Sequence, residues 1–93
     1  MSNQEAMGLL SEIADRAEMG VWTKDPTHPI LQEKDPSAVV YTGKLGDWTV
    51  LVVGFAAGEE RGHAGAGAKG GTVIKLTPII AERIYKIAET KAQ

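Results

Sequence analysis

Cysteine is absent from the 93-residue chain, so no disulfide framework, thiolate metal site or cysteine nucleophile can be built from it. Long apolar runs are absent too. The stretch 50–53 reaches only four residues, against the roughly 20 needed to cross about 30 Å of hydrocarbon as a helix. The first ten residues, MSNQEAMGLL, lack a basic segment followed by an apolar one, the pattern of a secretory leader. These absences predict a soluble, unprocessed, cytoplasmic protein with no membrane contact. Charge of either sign is also lacking in excess. Ten Lys plus Arg against twelve Asp plus Glu leave a net charge of −2, without the basic surplus that binding a phosphate backbone demands, which argues against nucleic acid as a partner. The acids are dispersed along the chain and form no dense negative block.

The chemistry-bearing residues are few. His28 and His63 are the only histidines, and neither has a second imidazole or a carboxylate at metal-ligand spacing, which argues against a metal. Ser2, Ser11 and Ser37 fall in a helix cap, a helix and a connection, with no nucleophile elbow around them. Glu59 and Glu60 are adjacent, so in extended chain they point apart rather than pairing for acid–base work. The reading is of a protein that is not an enzyme, with no catalytic residues and no cofactor.

What remains is a pattern of elements. Ser2 with Glu5 forms a capping box, and Ala6, Leu9, Leu10, Ile13, Ala14 and Ala17 follow at helical spacing, which predicts a helix over 3–19 closed by Gly20 in the left-handed region. Val21 and Trp22 read as a hydrophobic contact just beyond that helix, with an exposed binding aromatic as the other use of Trp22. Residues 23–37 hold Pro26, Pro29 and Pro36 and read as a surface connection. Residues 38–42 and 48–55 are β-branched and aromatic, and a turn lies between them, as in an antiparallel hairpin. Both faces of the second strand are apolar, which makes it central. Gly54 marks a bulge or a close backbone approach. Residues 72–76 read as a third strand. Thr77 and Pro78 supply an N-cap and a first helical residue for a last helix running to about residue 92.

The order is therefore α-β-β-β-α. It predicts an α+β fold in one domain, 1–93, with a three-stranded antiparallel sheet, two helices packed on one face, a proline-rich connection over 23–37 and a glycine-rich loop over 56–71. A sheet so covered leaves an apolar face in need of a partner, so self-association into a homo-oligomer is expected. The element order resembles that of double-stranded RNA-binding domains. Their lysine cluster at the start of the last helix has no counterpart at Pro78, Ile79, Ile80 and Ala81, so no RNA-binding residues carry over.

The stretch 54–71, GFAAGEERGHAGAGAKGG, stands out in the chain. Gly65, Gly67 and Gly70 satisfy G-x-G-x-x-G, but a strand follows rather than a helix, so the helix N-terminus that completes a dinucleotide fingerprint is missing. A phosphate-binding Walker loop fails as well, because Ala68 or Gly71 stands where lysine is required. Arg61, His63 and Lys69 lie among the glycines, and together with backbone N–H groups they suggest an anion site. The leading expectation is thus a non-enzymatic protein that stoichiometrically sequesters an anionic, nucleotide-like small molecule through Arg61, His63, Gly65, Gly67, Lys69 and Gly70. The alternative is a protein-interaction module, a small inhibitor or adaptor of the phage-inhibitor kind, with Trp22, Tyr41 and Trp48 as anchors on an apolar sheet face.

Overall fold

In the computed structural model, which describes residues 2–29, 36–55 and 62–92, the chain runs α1 (Asn3–Arg16), a short 3-10 turn (Ala17–Met19), β1 (Val21–Lys24), β2 (Val39–Leu45), β3 (Trp48–Phe55), β4 (Gly62–Lys69), β5 (Thr72–Lys75) and α2 (Pro78–Lys91). The Ser2 hydroxyl accepts from the Glu5 N–H at 3.1 Å and opens α1 as its capping chemistry requires. Thr77 does the same for α2, accepting from the Ile80 N–H at 3.4 Å, with Pro78 in the first turn.

The five strands form one sheet in the order β1-β2-β3-β4-β5, every neighbouring pair antiparallel. The α+β class holds, but the sheet has five strands rather than three. The first added strand is β1, where Val21 and Trp22 continue into a ladder with Lys44 and Gly43 instead of merely closing the helix. The second is β4, which occupies half of the segment expected to be a glycine-rich loop over 56–71 and pairs along β3 from Thr49 to Phe55. With five strands the order no longer matches that of the RNA-binding domains. The proline-rich stretch begins inside β1 at Thr23, and residues 30–35, with Ile30 and Leu31, lie outside the described residues, as do 56–61.

Both helices pack on one face of this sheet. Leu10, Ile13 and Ala14 of α1, and Ala81, Ile84 and Ala88 of α2, join Trp22, Tyr41, Leu45, Trp48, Val50, Val52, Ile74 and Leu76 in the main core. Alternation along each strand sends the other set outward, and there Ala38, Val40 and Val53 form a smaller cluster with Leu51 and Phe55 against it.

Glycines make the close approach possible. A Cβ on Gly65 would stand 2.6 Å from the Leu51 carbonyl oxygen and 2.8 Å from Leu76 Cδ1, and one on Gly54 would stand 2.7 Å from the Tyr85 ring. Gly54 is accordingly a close-approach position inside β3, in ladder register with Val39 and His63. Gly20 is extended, at φ −75°, rather than left-handed, and a Cβ there would overlap Leu45 Cδ2. Gly46 (φ 64°) and Gly70 (φ 58°) are each the first central residue of a two-residue hairpin connection, where only glycine is unstrained.

Candidate functional site

The residues expected to hold an anion are not brought together. Gly65 and Gly67 lie inside β4, in register with Val52 and Val50, so their backbone groups belong to the ladder and cannot cradle a phosphate. The carbonyl of Gly65 accepts from the Leu76 N–H at 2.9 Å, extending the pairing beyond β5. His63 turns toward the helices and lies against Tyr85, with ring centroids 4.7 Å apart. Lys69 turns to the same side but at the far end of the strand, its Nζ 5.8 Å from the centre of the Trp48 ring. Six residues of strand separate the two positions by about 20 Å. Gly70 sits in the β4–β5 turn, and Arg61 lies outside the described residues.

The expected protein-binding anchors are likewise placed in the core. Trp22, Tyr41 and Trp48 are 6%, 6% and 3% exposed, all on the helix-covered face. The Trp22 indole N–H donates to the Ala17 carbonyl at 2.8 Å, and its ring covers Gly43, where a Cβ would come within 2.5 Å of the indole. Tyr41 meets Tyr85 edge to face, with centroids 5.2 Å apart. Burial raises the pKa of both phenols, the nearby Glu89 carboxylate adds to the rise, and for Tyr85 the Tyr41 hydroxyl contributes as well. On the outer side of α2, the hydrogen bond and charge of Lys86 hold the exposed Glu82 carboxyl below its usual range, with a smaller contribution from His63.

No convergent polar constellation is found among the described residues. No polar or charged side chain is buried, no buried side-chain nitrogen or oxygen lacks a hydrogen-bond partner, and no three His, Cys, Asp or Glu residues gather as metal ligands. A depression of about 390 Å³ between the 3-10 turn and α2 is lined by Glu18, Ile87, Thr90 and Lys91, an open surface hollow with one charge of each sign.

The feature that does stand out is the sheet face opposite the helices. By register it carries Val21 and Thr23 of β1, Thr42 and Lys44 of β2, Thr49 and Leu51 of β3, Ala64, Ala66 and Ala68 of β4, and Val73 and Lys75 of β5. Val40 and Val53 are buried at one end, whereas Val21 and Val73 at the two edges are 73% and 70% exposed. The alternation within β4 explains its flatness. Glycines 65 and 67 face the helices and alanines 64, 66 and 68 face outward, so β4 raises no large side chain between Leu51 of β3 and Val73 of β5. Lys44 donates to the Thr49 hydroxyl at 2.7 Å along the surface. Sequence reasoning had a signal for this strand in the strict two-residue period of Ala64, Gly65, Ala66, Gly67 and Ala68, which the low strand propensity of glycine and alanine concealed.

Among the described residues no helix is long and apolar enough to cross a membrane. Comparison of the chain with protein-family models, with curated proteins and with solved structures finds no match in any of the three.

Proposed function

We propose that this protein is a non-enzymatic interaction module that binds a protein partner stoichiometrically through the sheet face opposite its helices, beyond the end where Val40 and Val53 are buried. One observation carries the reading: two helices cover one face while the other presents Leu51, Ala66, Ala68 and Val73 with threonines between them. An antiparallel sheet tolerates one solvated face, but such a face is then usually polar in alternation. Here the outward side chains of β3 and β4 are apolar or threonine, which is the composition of an interface rather than of a solvated surface. The anion-sequestering reading has no such support, because Gly65 and Gly67 belong to the ladder and His63 and Lys69 stand at opposite ends of β4 on the helix side.

The test is a charged residue in the middle of the face. Ala66→Arg projects outward from β4 between Leu51 and Lys75 and touches nothing in the main core. It is expected to leave the thermal midpoint nearly unchanged and to remove whichever protein co-purifies at fixed stoichiometry with the wild type. Retention of the same partner by the folded variant would overturn the reading.

A further inference from the structure

Among the described residues the helices and the sheet face opposite them differ in charge. The helical layer carries Glu5, Glu12, Asp15, Glu18, Glu82 and Glu89, and three of its four cations are already paired there: Arg16 with Glu12 at 3.0 Å, Arg83 with Asp15 at 3.6 Å and Lys86 with Glu82 at 3.1 Å. The open sheet face has the opposite character. Its only charged outward strand residues are Lys44 and Lys75, both exposed and without a carboxylate partner among the described residues. Asp25, which follows β1 at the margin of that face, is occupied by the Thr27 N–H at 3.0 Å and the Thr27 hydroxyl at 3.1 Å.

The register fixes where the two ammonium groups stand. Lys44 is level with Thr49, Ala68 and Val73 across the sheet, and Lys75 lies two residues further along β5. Three strand spacings and two residues put their Cα atoms about 16 Å apart, on opposite sides of the apolar centre. Resting on the docking role above, we infer that the partner is an acidic protein surface, one with an apolar centre bordered by two carboxylates that meet Lys44 and Lys75. A second copy of this chain docked face to face does not fit, because it would enclose four ammonium groups against no strand carboxylate, and unpaired charge is costly to desolvate. The whole sheet measures roughly 500 Å² from its strand spacing and lengths, and the end where Val40 and Val53 lie is already buried. The area left gives a total below the roughly 1,000 Å² of a stable specific interface, which places the complex among the weak or transient ones. Complementary charge at the margins then governs partner choice and association rate.

The experiment places a photo-crosslinking amino acid at Val73 on the exposed edge, identifies the crosslinked peptide in cells that make the protein, and purifies that partner for titration. The expected peptide carries Asp or Glu on both sides of an apolar segment. Lys44→Glu with Lys75→Glu should weaken the purified complex at least about tenfold, Lys44→Gln with Lys75→Gln less, and lysines at the partner's contacting carboxylates should restore binding to the doubly reversed variant. Thermal midpoints near that of the wild type establish that both variants fold. A crosslink to a second copy of this chain, a peptide without flanking carboxylates, or an affinity indifferent to both double variants would overturn the inference while leaving the docking reading intact. Absence of any crosslink from Val73 and of any partner lost by Ala66→Arg would overturn both.

Discussion

The glycines of this chain fall into groups that a single substitution separates. At Gly65 an added methyl meets the backbone of β3 as well as Leu76, so neither neighbour can yield cheaply. Gly65→Ala is expected to cost about 3 kcal/mol, at the upper end of what overpacking usually costs, visible as a lower denaturant midpoint with unchanged slope. Gly71→Ala meets nothing within 4 Å and should stay within about 0.5 kcal/mol of the wild type. Gly8 is exposed within α1 with open space around it, so close packing is not its role, and Gly8→Ala should add up to about 1 kcal/mol through helix propensity alone. Tyr41 is buried and Tyr85 is half-buried against it. Their folded pKa values lie above the ordinary 10.0, and the unfolded chain ionises nearer that value. The stability they contribute is therefore fully present below pH 10 and is lost as pH rises through the folded values. Since Tyr41 and Tyr85 are the only tyrosines, the tyrosinate absorbance of the native protein should rise later than that of the urea-unfolded chain, and a coincident rise would contradict the burial of both rings.

At the scale of elements, α2 is the principal cover of the sheet, lying over β4 and β3 with Ala81, Ile84 and Ala88 buried in the main core. Its start depends on one side chain, Thr77, whose hydroxyl takes an otherwise unpaired N–H of the first turn. Thr77→Ala should cost about 1 kcal/mol by equilibrium unfolding, and Thr77→Ser much less. The surface ion pairs Arg16–Glu12 and Lys86–Glu82 are both solvent-exposed and four residues apart on their helices. They add a few tenths of a kcal/mol at most, and added salt should change the unfolding midpoint little.

For the whole molecule the separation of core and docking face has an optical signature. Trp22 and Trp48 are the only tryptophans, and both lie under the helices, one layer away from the open face. Partner binding at that face should leave their emission maximum unchanged, whereas unfolding should shift it to the red. A marked shift on binding to the folded protein would mean that the helix layer opens or that the partner docks elsewhere. The open face also sets the salt response of the complex. With Lys44 and Lys75 as its charged margin, association should slow as ionic strength rises, and the effect should be lost in the double Gln variant.

Much of this architecture was legible along the chain. Ser2 with Glu5 and Thr77 with Pro78 begin both helices because capping and proline preference act within four residues, and the hairpin of β2 and β3 follows from alternating β-branched residues about Gly46. What local chemistry could not decide was the destiny of residues 62–69, whose glycines and alanines disfavour a strand on their own. They become one because β3 and β5 supply ladder partners on either edge and because small residues alone let Ile13, Tyr85 and Leu76 come down onto the sheet. The same placement turned a candidate phosphate loop into a structural strand and moved Trp22, Tyr41 and Trp48 from prospective anchors into the core. Only the tertiary structure could assign them a side, since a strand's alternation is visible in sequence but the face that the helices cover depends on contacts between residues distant in the chain.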